Sequence, residues 1–220
     1  MKPLRVFIGL DPRQIISYQV AAFSVVSHST VPVSVTPLIL EQLPINRSGL
    51  TPFTWSRFLV PWLCNYVGTA LFLDADVLVR GDVKELFDLM DDNAVMVGDV
   101  EPFERASVML FNCGHEDNAV LDPDYIESAG GLHKIQWTKN VGFFPKEWNH
   151  LVLYDEPDPN AKLVHFTAGI PVWEQTKGCE HSQEYIETLN YSNSATDWET
   201  LMGRSVHVQK VRDFMKERDG

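Results

Sequence analysis

Hydrophobic residues form short runs along the chain, and their spacing alternates between that of strands and that of helices. Residues 4–10 are one apolar run of the kind found in buried strands, and residues 15–27 are apolar-rich and long enough for a helix. A second strand is predicted near residues 33–40. Residues 54–66 then predict a second helical region and residues 69–73 a third strand. This alternation predicts an α/β fold.

Capping and helix-breaking residues set the predicted ends of the next elements. Pro61 interrupts the second helical region, because proline lacks the amide hydrogen that a helix interior needs. Asp82 and Glu85 have the D-x-x-E spacing of a capping signal, so we expect a helix from there to Met90. Further short strands are predicted at residues 93–97 and 108–111.

The second half of the chain is less regular and richer in aromatic residues. The dipeptide D-P at 122–123 predicts a helix start, and G-G at 130–131 predicts its end. A late strand is predicted at residues 163–166. The T-x-x-E spacing at 196–199 predicts a capping box, in which Thr196 begins a C-terminal helix that runs toward Arg218.

The composition is that of an ordinary globular protein, with 45% hydrophobic and 22% charged residues. No apolar stretch approaches the roughly 20 residues that span a bilayer. The first apolar run is broken at Gly9 and Asp11, which argues against a signal peptide. A length of 220 residues suits one domain that covers residues 1–220.

Net charge and cysteine content narrow the possible functions. A net charge of −12 argues against a nucleic-acid-binding surface, which needs a basic stripe. Any phosphorylated ligand must therefore be held by local cations. Cys64, Cys113 and Cys179 contain no C-x-x-C pair, so neither a disulfide framework nor a zinc knuckle is indicated. These features predict a cytoplasmic protein with no nucleic-acid partner and no transmembrane segment.

The segment A-L-F-L-D-A-D-V-L-V-R-G at residues 70–81 carries the clearest candidate chemistry. Its apolar run ends in Asp74 and Asp76, and in an extended strand alternate side chains lie on one face, so both carboxylates can bind one cation. Mg²⁺ and Mn²⁺ prefer oxygen ligands and often bind substrate phosphates as well. Alternatively, Asp76 begins a turn and Asp74 caps a neighbouring amide. The motif alone does not separate these interpretations.

Five blocks in a fixed order give a more specific signal. The blocks are S-R-F-L-V-P (56–61), L-F-L-D-A-D-V-L-V (71–79), S-V-M-L-F-N (107–112), P-K-E-W-N (145–149) and L-V-H-F-T-A-G-I-P-V-W (163–173). Together they resemble glycosyltransferase family 8, most closely the small bacterial and phage relatives of glycogenin. The resemblance extends from about residue 4 to about residue 185.

The resemblance implies a GT-A fold, which is a Rossmann-like mixed sheet with flanking helices, and a retaining enzyme that uses nucleotide-sugars, mostly UDP-sugars. It implies a nucleotide-binding half at about residues 1–97, and an acceptor-side half with a C-terminal helix at about 98–220. On the matching positions Asp74 and Asp76 are metal ligands, and His165 is the third. The implied cation is Mn²⁺, with Mg²⁺ possible, because an imidazole ligand favours Mn²⁺.

The same resemblance assigns the donor-binding residues. Ile8, Gly9 and Asp11 match the segment that holds the nucleobase and ribose, although a plain turn with Asp11 as a helix cap is an equal alternative. Arg57 matches a basic residue near the diphosphate, a role that suits the bidentate geometry of arginine. Two further positions complete the implied donor site: Ala75 and Gly169.

The implied catalytic residues include departures from the family pattern. Asp99 falls where the family places a carboxylate on the donor sugar hydroxyls. The family's D-Q-D element is replaced by Q-W-T-K-N at residues 136–140, so we expect the amide of Gln136 or Asn140 beside the anomeric carbon. The family lysine after the histidine is also missing, and Lys177 from the next loop is a possible substitute.

Other matching positions give structural expectations. Trp148 and Asn149 match a W-N pair that we interpret as a structural turn. Several aromatic residues predict either a carbohydrate platform or ordinary core packing: Trp137, Phe143, Phe144, Trp148 and Trp173. Arg105-Ala106-Ser107 replaces the family's N-x-G, so the sugar and the acceptor cannot be inferred from the family.

Two other functions are compatible with the motif. A haloacid-dehalogenase-type phosphatase also has D-x-D after an apolar strand, but near its N-terminus and with Thr or Val where this chain has Leu78. A GT-A module that binds nucleotide or glycan without turnover is the second alternative, since the acid and the lysine are missing. We expect a glycosyltransferase.

Overall fold

A computed structural model describes residues 2–219 of the chain. The strands are β1 Leu4–Gly9, β2 Val33–Leu38, β3 Thr69–Leu73, β4 Val77–Val79, β5 Val95–Gly98, β6 Val108–Asn112, β7 Val141–Phe144, β8 His150–Leu151 and β9 Leu163–His165. The α-helices are α1 Ile15–His28, α2 Phe53–Ser56, α3 Val60–Leu63, α4 Val83–Asp88, α5 Pro123–Ser128, α6 Ser182–Ser192, α7 Trp198–Met202 and α8 Val208–Asp219. Short 3₁₀ turns include Arg57–Leu59, Arg105–Ser107 and Leu132–Lys134.

The strands form one large and one small sheet. The six-stranded sheet has the order β2-β1-β3-β6-β5-β7, and only β6 runs antiparallel to its neighbours. The C-terminal ends of β1, β3, β5 and β7 therefore lie at one edge of this sheet, where α/β proteins bind ligands. The three-stranded sheet has the order β4-β9-β8. The predicted mixed sheet with flanking helices is confirmed.

Hydrophobic side chains cover both faces of the large sheet, as alternation along each strand requires. One face carries a core that includes Phe58, Phe72 and Phe111. The other face carries a core that includes Leu71 and Trp148. A third cluster joins α1 and α6 to the small sheet: Val20, Leu78, Val164, Phe166 and Tyr185. The small sheet is thereby fixed against the large one.

Most predicted helix starts agree with the structure. The carboxylates of Asp82 and Asp122 accept hydrogen bonds from the amides of Lys84 and Tyr125, as N-caps do. The helical region predicted at residues 54–66 spans residues 53–63, is divided into α2, a 3₁₀ turn and α3, and ends in a turn at residues 64–66. None of the helices within residues 2–219 is long and apolar enough to cross a membrane.

The prediction for the C-terminal helix is wrong in two respects. The N-cap is Asp197 rather than Thr196, because the Asp197 carboxylate accepts from the amide of Thr200. The helix is also interrupted between Met202 and Val208, so two helices replace one. Strands β4, β7 and β8 and helix α6 were not predicted.

Candidate active site

The D-x-D segment lies where the chain passes from the large sheet to the small one. Residues 74–76 form a bend after β3 rather than part of a strand, so the expected strand geometry is wrong. The amide of Asp74 donates to the carbonyl of Ser107 at 2.8 Å, which fixes the start of the bend. Asp74 and Asp76 nevertheless come together with His165, since ligand atoms of all three lie within 4.8 Å of one another.

Strand register brings His165 to the D-x-D segment. Strands β4 and β9 are antiparallel with Val77 opposite His165, and the amide of Phe166 donates to the carbonyl of Asp76 at 2.9 Å. As a result His165 Nε2 lies 3.4 Å from Asp76 Oδ1, and its side chain is only 2% exposed. The histidine is 89 positions from Asp76 in the sequence but adjacent to it in the fold.

Asn149 holds the ring of His165 in one orientation. The Asn149 amide nitrogen donates to Ser107 Oγ at 3.2 Å and to the Glu104 carbonyl at 3.3 Å, so its oxygen faces His165 Nδ1 at 3.1 Å. An amide oxygen only accepts hydrogen bonds, so we assign the proton to Nδ1. Nε2 is then the nitrogen that faces Asp76, and it can bind a metal once its proton is lost, as in histidines whose other ring nitrogen donates to a fixed oxygen.

Arg57 forms the other side of the cluster. Its Nη2 lies 3.0 Å from Asp74 Oδ1, and its Nη1 donates to the Ala106 carbonyl at 2.6 Å. The guanidinium also lies over the rings of Phe53 and Phe72, at 5.6 and 5.0 Å from their centroids. Within residues 2–219, buried Asp74 Oδ1 and Arg57 Nε have no hydrogen-bond partner. Such orphaned atoms indicate a place for a cation and an anion.

The charges of the cluster are unbalanced. Burial raises the pKa of Asp74 to about 7, although Arg57 opposes the rise. Burial lowers the pKa of His165, but Asp76, Glu104 and Asp74 outweigh it and raise the value to about 9. Three carboxylates therefore surround one histidine and one arginine in a poorly solvated place. Their number and geometry fit a divalent cation.

A small cavity of about 50 Å³ lies next to the D-x-D segment. Asp11, Ala75 and Asp76 line it together with Phe53, so the structure brings these three predicted residues together. A hydrogen bond from Arg13 is the largest of the effects on Asp11 and holds its pKa below its usual range. Two further residues complete part of the rim: Gln14 and Thr51.

The remaining predicted donor residues act through the backbone or through packing. Ile8 is fully buried, so its side chain is unavailable to a ligand. A Cβ at Gly9 would overlap the ring of Phe53, so glycine allows this ring to approach the strand. Gly169 has φ +123°, and a Cβ there would lie 2.7 Å from the Trp173 ring. At both positions glycine allows an aromatic ring to pack against the backbone.

Asp99 lies at the same sheet edge as Asp74. It follows β5, is exposed, and is separated from β3 by β6 alone, a distance of about 10 Å at the spacing of neighbouring strands. Lys177 does not replace the missing lysine in this structure, because its Nζ is 2.6 Å from Glu174 on an exposed loop.

The structure does not bring the two predicted amides to the cluster. Asn140 precedes β7, and Val141 pairs with Val95 at the start of β5, so Asn140 lies at the edge opposite Asp74. Its amide donates to Asp117 Oδ2 at 2.8 Å. The side chain of Gln136 folds back against Gly131. Neither position agrees with a role beside the anomeric carbon.

Two residues of the site were missed by sequence reasoning. Asn149 was interpreted as part of a turn, yet it orients His165, while the burial of its neighbour Trp148 selects core packing over a carbohydrate platform for that residue. Glu104 Oε2 lies 3.8 Å from His165 Nδ1, and its other oxygen accepts from the Thr167 hydroxyl. Only the W-N pair offered a signal, because Glu104 stands in an ordinary acidic loop.

A second group of ligand-type residues lies outside the D-x-D cluster. Ligand atoms of His150, Glu180 and His181 are within 4.8 Å of one another. His150 Nε2 is 2.9 Å from Glu180 Oε2, and His181 Nε2 is 3.1 Å from Glu180 Oε1. This group connects β8 to the loop before α6.

Comparison with known proteins identifies the family of the chain. The sequence pattern of Glycosyl transferase family 8 matches residues 13–200. Protein CDI of Arabidopsis thaliana is 35% identical over 230 residues, covering 87% of this chain and 88% of that protein.

Two solved structures are similar at low identity. The apo WbbM bifunctional glycosyltransferase has a TM-score of 0.63 and 16% identity, covering 90% of this chain and 50% of that one. The galactosyltransferase LgtC, solved with donor and acceptor sugar analogues, has a TM-score of 0.58 and 14% identity, covering 90% of this chain and 99% of that one. Such identities show the fold alone. The chain spans half of WbbM.

Proposed function

The chain belongs to glycosyltransferase family 8 and has the GT-A fold, and on that premise we propose that it is a metal-dependent, retaining hexosyltransferase. Its donor is a nucleotide-sugar, a UDP-sugar in particular, and its acceptor is a glycan or a small molecule. The observation that carries this proposal is the cluster of Asp74, Asp76 and His165 beside Arg57. Family membership argues against the phosphatase alternative.

Asp74, Asp76 and His165 would hold the divalent cation, and the imidazole favours Mn²⁺ over Mg²⁺. When bound, the cation would stabilise the negative charge that builds on the departing nucleoside diphosphate. Arg57 adds a fixed positive charge on the same side, because the Ala106 carbonyl and the two aromatic rings hold its guanidinium. A preorganised charge of this kind acts most strongly where charge develops.

Asp99 and Asp11 would position the two ends of the donor. The exposed carboxylate of Asp99 lies at the sheet edge where sugar hydroxyls can donate to it. Asp11 lines the cavity beside Ala75, where it would accept from ribose hydroxyls once Arg13 releases it. Since ligand sites measure roughly 300–1,000 Å³, donor entry must enlarge this cavity of about 50 Å³. The Arg13 contact with the Leu50 carbonyl is the one we expect to open.

The test is a screen of UDP- and GDP-sugars for nucleoside diphosphate release with and without Mn²⁺. We expect slow, Mn²⁺-dependent hydrolysis of one donor even without acceptor, because the D-x-D cluster and Arg57 stabilise the leaving group without the acceptor and water can take its place. Proton NMR of an early transfer product should show retained configuration. Metal-dependent nucleotide binding without release from any donor would instead favour a binding module, and an inverted product would contradict the retaining assignment.

A further inference from the structure

A second, larger pocket of about 500 Å³ opens beside β7, away from the nucleotide half of the sheet. Val141 and Phe143 line it from the strand, and they share one face because they are two residues apart. Phe143 is 50% exposed although it is aromatic. Three cationic side chains complete the wall from two other segments: Arg105, Lys134 and Lys139.

The charge of this pocket is opposite to that of the chain. Among residues 2–219, no aspartate or glutamate lines it. Several other cations in this chain of net charge −12 lie on carboxylates: Arg80, Lys146 and Lys162 each have one within 3 Å. In the described part of the chain, Lys134, Lys139 and Arg105 take part in no ion pair of that length. The Arg105 guanidinium instead lies 5.1 Å from the Phe143 ring centroid.

The pocket is connected to the donor site through one short turn. Arg105 is flanked by Glu104, which approaches His165, and by Ala106, whose carbonyl holds Arg57. The donor cavity at Asp11 lies on the β1 side of the D-x-D segment, whereas the pocket lies on the β7 side. Arg105 and Phe143 lie toward the sheet edge that carries Asp74, whereas Lys139 lies toward the opposite edge. A molecule in the pocket would therefore reach the donor sugar with its end at Arg105, from the side opposite the nucleotide.

We propose that this pocket binds the acceptor and that the acceptor is an anionic saccharide, whose carboxylate or phosphate contacts Arg105, Lys134 and Lys139 while a sugar face lies on Phe143. This inference rests on the proposed transferase function. Both anions share the chemistry that a guanidinium and two ammonium groups recognise. An exposed aromatic ring beside the cations supplies the apolar surface that a pyranose face needs.

Matched glycosides test the inference by binding. The probes are 4-nitrophenyl β-D-glucoside against 4-nitrophenyl β-D-glucuronide, and glucose against glucose 6-phosphate, titrated calorimetrically with the full-length protein. We expect the anionic member of one pair to bind at least about tenfold tighter, since three charge contacts each contribute about twofold to fivefold. The preference should shrink as salt rises. A preference within the glucoside and glucuronide pair identifies a carboxylate as the recognised group, and a preference within the glucose and glucose 6-phosphate pair identifies a phosphate.

Charge-matched variants locate the effect. In Lys134→Gln/Lys139→Gln the anionic probe should bind about fourfold or more weakly while the neutral probe is unaffected. Lys210→Gln, an exposed change on α8 outside the pocket, should leave both unchanged. Equal binding of neutral and anionic probes, or equal weakening by Lys210→Gln, would overturn the proposal. The donor hydrolysis assay contains no acceptor. Absence of hydrolysis would therefore count against the transferase function and not against the proposed role of this pocket.

Discussion

The D-x-D cluster and the group of His150, Glu180 and His181 both contain carboxylates and imidazoles whose ligand atoms lie within 4.8 Å of one another, yet their hydrogen bonding differs. In the second group Glu180 Oε2 faces His150 Nε2 at 2.9 Å, and Glu180 Oε1 accepts from the Asp158 amide at 2.8 Å. His181 Nε2 lies 3.1 Å from the Asp158 carbonyl. These polar atoms have protein partners, as a stable loop anchor requires.

In the D-x-D cluster the ligand atoms face one another and Arg57. Asp74 Oδ1 lies 3.0 Å from the Arg57 guanidinium but accepts no well-aligned hydrogen bond among the described residues, and His165 Nε2 faces Asp76 while its other nitrogen is held by Asn149. Proximity of histidines and carboxylates is common to both clusters and so does not identify a metal site. The two clusters differ in that, within residues 2–219, only Glu180 of their carboxylates accepts a hydrogen bond from a backbone amide, and the predictions below test whether this difference separates a metal site from a loop anchor.

The largest expected effect is on catalysis. Asp76→Ala should lower Mn²⁺-dependent release of nucleoside diphosphate by about 10²–10³-fold, the loss that follows removal of one charge-stabilising group. Glu180→Gln, which changes the other cluster, should retain most of the activity at a temperature where it is folded. Steady-state release assays on both variants compare the two clusters. Similar losses in both would show that the clusters do not differ in function.

The second prediction concerns Asn149. Asn149→Ala should weaken Mn²⁺ binding by about 10–100-fold, because the partner that orients a metal-binding histidine is lost. Asn149→Asp keeps an oxygen that accepts from His165 Nδ1, so it should restore much of the affinity. Titration followed by the EPR signal of free Mn²⁺ measures both. Unchanged Mn²⁺ affinity in Asn149→Ala would show that Asn149 has only a packing role.

The residues of the D-x-D cluster show which parts of the fold and the site could be predicted from the sequence and which could not. The β-α-β start, the sheet edge that carries Asp74 and the partnership with His165 follow from periodicity and from ordered motifs. The role of Asn149 depends on which side chain lies beside it in the fold, and no local pattern records that. Asn140 was placed wrongly because the direction and pairing of β7 decide which sheet edge it occupies.

Two short strands and one polar helix were not predicted because their formation depends on contacts with distant parts of the chain. Strands β4 and β8 have three and two residues, too few for any period to show. Helix α6 has one buried residue, Tyr185, and an otherwise polar sequence, so its apolar stripe is weak. Its formation depends on packing against α1, which is a tertiary effect.

The third prediction is thermal. UDP and Mn²⁺ together should raise the melting temperature by several degrees, far more than either alone. Ligand at ~100 times its dissociation constant adds about 2.7 kcal/mol, and each kcal/mol corresponds to roughly 2–4 °C for a domain of this size. Asp76→Ala and His165→Ala should each lose most of this synergy. Without ligand, Asp76→Ala should leave the melting temperature nearly unchanged or raised, since removal of a carboxylate relieves repulsion, whereas His165→Ala should lower it because a buried contact is lost.

The control for this experiment is His150→Gln in the other cluster. It removes a buried contact with Glu180, so it should lower the melting temperature and keep the synergy of UDP with Mn²⁺. Differential scanning fluorimetry measures all four proteins. A lowered ligand-free melting temperature with intact synergy in Asp76→Ala would assign that residue a structural role.

The smallest expected effect is the pH dependence of the His150, Glu180 and His181 group. Burial alone would raise the pKa of Glu180, but the hydrogen bond from His150 and other contacts outweigh it and lower the value. The unfolded chain then takes up a proton near pH 4.5 while folded Glu180 is still ionised, so the free energy of unfolding falls as pH decreases below that value.

Glu180→Gln should be less stable near neutral pH and should lose less stability on acidification. Glu187→Gln, an exposed change of the same charge on α6, should follow the wild type. Urea unfolding followed by tryptophan fluorescence between pH 3.5 and 6 measures these slopes, and equal slopes in all three proteins would remove Glu180 from the loop anchor.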